Sequence, residues 1–178
     1  KALGGGEVTS RRGASTVSSQ IMNRPAVCFG GPSPEHDISI LTGLQAVRAL
    51  SEAGNDVVTL YWSKTGNWFE VPSDVEPSEF ADGLPRSADP VVLRLGETGG
   101  FYRVAKRGKQ SQLEISAVVV CCHGGPGEDG SLQAMFDLAG VRYTGPSQSG
   151  AALGMDKLAF SGVMAAAGLQ NFFPTSPQ

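Results

Sequence analysis

The stretch "PAVCFGGPSPEHDISILTG", Pro25 to Gly43, decides the fold: an apolar run closes on two glycines, and beyond two prolines the apolar spacing changes from every residue to every third or fourth. This is a strand, a turn and a helix in succession. Ser33 is placed to cap the helix and Pro34 suits its first turn, while Ile40, Leu44 and Val47 share one face with Leu41 and Leu50 beside them. Gly54 ends it. The turn also carries Glu35 and His36, polar groups that a plain strand-to-helix connection does not require.

Outward from this unit, "DVVTLYW" is a second strand, and "SKTGNWFEV" is a turn at Thr65-Gly66-Asn67 followed by a paired strand with Trp68 and Phe69. Residues 72–90 are polar, proline-bearing and without periodicity, as in a surface excursion. "VVLRL" and "FYRVAK", joined by "GETGG", form a hairpin. "LEISAVVVCCH" is a continuous apolar run of the buried, parallel type and the best candidate for a central strand. After the loop "HGGPGEDG" come a helix from Ser131 to Leu138, a short strand "VRYTG" and a helical pair between Gly150 and Ala167. Alternation of strand and helix predicts an α/β fold, an open and mainly parallel sheet with flanking helices.

The chain has 178 residues, enough for one packed core, and its 14 basic against 17 acidic residues form no broad cationic face. Nucleic acid and an anionic membrane are therefore not expected partners, and a small polar ligand is. Three cysteines, Cys28, Cys121 and Cys122, provide neither a disulfide framework nor zinc spacing, which favours the cytoplasm. No metal site is expected from the sequence. Neighbouring strand positions put Cys121 and Cys122 on opposite faces, buried and inert. Residues 1–22, rich in Gly, Ser and Arg, have no signal-peptide core and are expected to be a disordered leader or an expression remnant.

Ligands of open α/β sheets bind beyond the carboxyl ends of the strands. The loops "GGPSPEHD" and "HGGPGEDG" both sit there, so their convergence would gather Glu35, His36, His123, Glu128 and Asp129. Each has an ordinary alternative: an acid in a first helical turn is favoured by the macrodipole by about half a kcal/mol, and the second loop can simply cap the helix after it. Neither a dinucleotide fingerprint nor a phosphate-binding loop with its lysine is present.

Three motifs in order resemble the N-terminal part of the D-alanine:D-alanine ligases, which are ATP-grasp enzymes: "FGGPSPEHDISILTG" (Phe29–Gly43), "HGGPGEDGSLQAMFDLAGVRYTG" (His123–Gly145) and "GAALGMDKLAFSGVMAAAGL" (Gly150–Leu169). "WSKTGNWF" at Trp62–Phe69 is a weaker echo. The resemblance implies a Rossmann-like substrate-side domain over 23–147 and the beginning of the central ATP-grasp domain over 148–178. It also implies an enzyme that phosphorylates the carboxylate of one D-alanine with ATP and joins it to the amine of a second, for peptidoglycan synthesis. Glu35 then matches the residue that holds the first ammonium, Ile38 the apolar neighbour of its methyl group, and His123 the catalytic histidine beside the activated carboxylate. Lys157 matches a lysine reaching the nucleotide. ATP and Mg2+ are the implied cofactors, and a homodimer the implied assembly. Two departures are His36-Asp37, where the family has His-Glu or Arg-Glu, and "QNFFPTSPQ" after Leu169, where a longer central domain is expected. A chain that stops there is expected to be inactive alone. Ligation of D-alanine to another amino or hydroxy acid, such as D-lactate or D-serine, and a non-catalytic amino-acid-binding module are the alternatives.

Overall fold

The computed structural model describes residues 24–169. The expected leader and all of "QNFFPTSPQ" lie outside them. Seven strands, β1 (Ala26–Gly30), β2 (Val58–Trp62), β3 (Trp68–Val71), β4 (Asp89–Arg94), β5 (Gly100–Val104), β6 (Gln110–Gln112) and β7 (Val118–Val120), form one sheet in the order β6-β5-β4-β3-β2-β1-β7. The described helices are α1 (His36–Glu52), α2 (Ser131–Leu138), α3 (Gln148–Met155) and α4 (Lys157–Ala166). None is long and apolar enough to cross a membrane.

The α/β class and the flanking helices are as expected, but the sheet is mixed. β1 is parallel to β2 and β7, whereas β2 to β6 are joined pair by pair as antiparallel neighbours. Connection length accounts for the division. A parallel pair needs a crossover of a dozen or more residues, which α1 supplies between β1 and β2, while the short turn from Trp62 to Trp68 permits only a hairpin.

Alternation along β1 builds two cores at once. Ala26 and Cys28 face Leu60, Trp62, Phe101, Leu132 and Phe136, and Val27 and Phe29 face Ile40, Leu44, Val47, Tyr61 and Phe80. Helix α1 therefore covers one face and α2 the other. On the α2 side the hairpin closes with Trp62 stacked on Trp68, ring centroids 5.0 Å apart, and Trp68 meets Phe101 edge-on at 5.2 Å.

Two expectations change in detail. The run "LEISAVVVCCH" supplies only Val118–Val120 as strand, and this strand ends the sheet order, beside β1, which is second from that end. Its continuous apolar character reflects burial on both faces, since Cys121 joins the α1-side core and Cys122 the α2-side core. The outer edge is shielded by "VRYTG", which contributes a single bridge from Tyr143 to Val118 instead of a strand. In the excursion 72–90, Val75 and Phe80 are buried against α1, and a 3-10 turn at Pro77–Phe80 carries a capping box between Glu76 and Glu79.

Helix α1 approaches β1 through Gly43, where an added Cβ would stand 2.4 Å from Phe29 side-chain atoms. Gly154 in α3 has nothing within 4 Å of its Cβ position. Gly43→Ala should therefore destabilise the domain by about 1–3 kcal/mol through overpacking, and Gly154→Ala should stabilise it by about 0.5–1 kcal/mol. Urea unfolding of the two variants checks the opposite signs.

All three cysteines are buried; burial raises the Cys28 thiol well above its ordinary pKa and pushes Cys121 up to about 11. Thiolates react and thiols do not. Native protein at neutral pH should resist alkylation at all three positions and take up three equivalents only when unfolded, as mass spectrometry would show.

Candidate functional site

Because β1 and β7 are parallel neighbours, paired from Ala26↔Val118 to Cys28↔Val120, the loops that leave them emerge at the same end of the sheet. The expected convergence is present. Gly124 adopts φ +64°, and a Cβ there would lie 2.8 Å from Ser33 Oγ and 3.2 Å from Glu35 Oε1. A glycine at 124 thus lets the second loop close on the first without a side chain between them.

A buried serine ties the loops together. The Gly30 amide donates to Ser39 Oγ at 2.7 Å, and the Ser39 hydroxyl donates to the Cys121 carbonyl at 2.8 Å. Ser39 is fully buried, so these bonds are shielded from water. No role for this residue could be read from the sequence. Here it joins the ends of β1 and β7 through the first turns of α1.

Glu35 is the N-cap residue of α1, yet its carboxylate makes no capping hydrogen bond; its amide donates to Ser33 Oγ at 3.1 Å. The side chain is exposed and points toward Gly124. The carboxylate is therefore not spent on a cap, and the macrodipole, which still favours an acid here, leaves its oxygens open. Ile38 is 56% exposed on the outer side of the same helix. His123, half-buried, sits between Thr42 and Glu128: Nε2 is 3.0 Å from Thr42 Oγ1, and Nδ1 is 3.7 Å from Glu128 Oε1. Asp129 serves the helix instead, its Oδ1 accepting from the Ser131 amide at 2.9 Å.

His36 departs from the expected gathering, because its ring turns into the core. It is 2% exposed, with Nδ1 2.6 Å from the Gly31 carbonyl and Nε2 3.0 Å from the Tyr61 hydroxyl. Burial, with Asp37 nearby, raises the pKa of the Tyr61 phenol, which keeps it a donor to Nε2. Lys157 is exposed at the first residue of α4, directly after the Asp156 cap, and no hydrogen bond or ion pair joins it to Glu35 or His123. Thr42 is the residue that sequence reasoning missed. Its one signal was a hydroxyl four positions after Ile38, one helical turn away on the same face.

A cavity of about 590 Å³ lies on the other flank of α1 against Tyr61, Phe69, Phe80 and Leu84. Glu35, Ile38 and His123 are not among its lining residues. They form an open face. Among the described residues no three His, Cys, Asp or Glu side chains are grouped to hold a metal ion. What this face offers chemically is one free carboxylate, one apolar surface and one imidazole held by its neighbours.

Ser39→Ala would strip partners from the Gly30 amide and the Cys121 carbonyl in a buried place. It should cost about 2–4 kcal/mol and speed hydrogen exchange at Gly30. Ser33→Ala, in a partly exposed position, should cost less than about 1 kcal/mol. Equal effects of the two changes in urea titrations would contradict the bridging role.

The family model described as D-ala D-ala ligase N-terminus matches residues 24–146. The D-alanine--D-alanine ligase of Leptospira interrogans is 35% identical over 137 residues, covering 76% of this chain and 37% of that protein. The corresponding ligase of an Arthrobacter species is 38% identical over 153 residues, covering 83% of this chain and 40% of its own length. Among solved structures, the D-alanine-D-alanine ligase from Coxiella burnetii superposes with a TM-score of 0.67 at 26% identity, over 82% of this chain and 41% of that one. The VanG D-Ala:D-Ser ligase from Enterococcus faecalis gives 0.63 at 27% identity, over 82% and 42%. The chain thus spans about two-fifths of the length of these relatives. With the family model matched across both loops and the whole sheet, the chain belongs to the D-Ala-D-Ala ligase N-terminus family.

Proposed function

We propose that this chain is the substrate-side part of a cytoplasmic ligase that joins two D-alanines for peptidoglycan synthesis, through an acyl phosphate made at the expense of ATP. The observation that carries the reading is the Glu35 carboxylate, exposed, unpaired and directed at the Gly124 loop where the two motifs meet. A carboxylate in that state can take an ammonium group, and a helix N-terminus behind it favours its ionised form. Ile38, with its side chain largely in solvent, offers apolar area to the methyl group of a small amino acid. His123 supplies the polar group beside the substrate carboxylate, where a donor offsets developing charge.

Domain boundaries follow the same reading: 23–147 forms the substrate side and 148–178 opens the ATP-grasp part. The exposed Met155, Leu158 and Val163 on α3 and α4 are in keeping with a surface that continues into further structure. Lys157 is assigned to the nucleotide. The described residues do not form a set of ligands fit for Mg2+, so metal binding and the nucleotide's phosphate contacts are assigned to the region that the relatives have in addition.

A second reading, D-alanyl-D-serine formation, draws on the similarity to the VanG ligase. Glu35, Ile38 and His123 are assigned to the first D-alanine, which both products contain, so they suit either reaction equally.

The test is phosphate release from ATP by the full-length polypeptide that carries this segment, with D-alanine alone and with D-alanine plus D-serine. Release with D-alanine alone supports the first reading, and release only in the mixture supports the second. Glu35→Gln should lower kcat/KM for D-alanine roughly 10- to 100-fold, the value of one charge-assisted hydrogen bond. An unchanged kcat/KM would remove Glu35 from the site.

A further inference from the structure

Two acceptors lie within reach of the Thr42 hydroxyl, and it has one proton to give. Its Oγ1 is 3.2 Å from the Ile38 carbonyl one turn earlier and 3.0 Å from His123 Nε2. The carbonyl can only accept, so donation to it leaves Oγ1 presenting a lone pair to the ring, and Nε2 then has to carry the hydrogen. On the far side of the ring, Glu128 Oε1 pulls toward a proton on Nδ1 instead. That oxygen stands 3.7 Å from Nδ1, beyond hydrogen-bonding length, and the Glu128 side chain is 43% exposed, so water weakens its field. The back-bond from Thr42 Oγ1 to the Ile38 carbonyl, which uses the hydroxyl's one proton, decides.

We propose that Thr42 is a positioning residue that fixes His123 in its Nε2–H tautomer, leaving Nδ1 as the nitrogen that shares or takes up a proton at the junction of the two loops. The use of this arrangement in ligation rests on the function proposed above; the tautomer itself does not. A threonine suits the task because its i−4 back-bond to Ile38 holds the hydroxyl in one orientation. Imidazole function depends on which nitrogen is protonated, and that is set by the bond the other nitrogen makes.

The chain contains two histidines, and the second is a built-in reference. In His36, Nδ1 donates to the Gly31 carbonyl at 2.6 Å while Nε2 accepts from the Tyr61 hydroxyl at 3.0 Å. One neutral imidazole of each tautomer should therefore be seen in the same molecule.

The experiment is long-range 1H–15N correlation on the 178-residue chain with labelled histidine, at about pH 8, where an ordinary imidazole is neutral. Signals missing in His123→Gln assign the ring. The expected result is a Nδ1–H pattern for His36 and a Nε2–H pattern for His123. Thr42→Val should move His123 to a mixture of tautomers, Thr42→Ser should restore the single pattern, and His36 should stay unchanged, showing that the fold is kept. A Nδ1–H pattern for His123 in the unaltered chain would overturn the proposal without any variant having to fold. So would a tautomer that survives Thr42→Val and changes with Glu128→Gln. Failure of the ligase assay, by contrast, would remove the functional reading and leave these spectra as they are.

Discussion

Ser39 presents one hydroxyl to two strands, and the geometry of the loops depends on it. It accepts from the last residue of β1 and donates to the carbonyl just beyond β7. Without such a linker the carboxyl ends of the two strands would be held by their own ladder, which stops at Cys28↔Val120, and by the buried contact of the Cys28 and Cys122 thiols. Beyond that point each chain turns away into its loop, and a buried amide and a buried carbonyl would otherwise lack partners. One side chain satisfies both, so the junction of the loops is as firm as the core beneath it.

The rest of the sheet supports this junction from a distance. β1 is buried along its whole length, sandwiched between α1 and α2, and it takes its position from the close approach at Gly43. The antiparallel half, β3 to β6, extends the sheet away from the loops and fixes the β2 end through the Trp62–Trp68 stack. Arg103 and Glu70, two strands apart on β5 and β3, are paired across this half. Its polar inventory goes into holding strands together, and the polar groups near the loops are the ones left without such work.

Much of this was legible because local chemistry and fold agreed. The α2 helix was readable from Ser131 to Leu138, and the turn before Trp68 from Thr65-Gly66-Asn67, since periodicity, caps and glycines pointed the same way. Strand order was not legible. An apolar run reports burial on two faces, and β7 has this at the sheet's edge because the segment around Tyr143 covers its open side. Residues 72–90 hid Val75 and Phe80 among prolines and acids, where so few buried apolar side chains make no period. Of the site, the two loops and Glu35 followed from the motifs, whereas the inward turn of His36 required knowing where Tyr61 would stand.

That difference between neighbouring residues follows from helical geometry. On the first turns of α1, His36, Ser39, Ile40 and Gly43 fall on the stripe that faces the sheet, and all four are buried. Glu35, Ile38 and Thr42, spaced by three and four, fall on the stripe that faces the second loop. A carboxylate, an apolar side chain and a hydroxyl on that outer stripe are unusual economy for a solvated surface, because none of them pairs with its helical neighbours' side chains. The inward stripe spends its polar groups on strand ends and a core phenol, with both ring nitrogens of His36 and both bonds of Ser39 accounted for. The outward stripe leaves the Glu35 carboxylate open and lends the Thr42 hydroxyl to an imidazole from another loop. Stability explains the first stripe completely and the second hardly at all, and for that reason the functional reading rests on Glu35, Ile38 and His123 and not on the better-bonded His36 beside them.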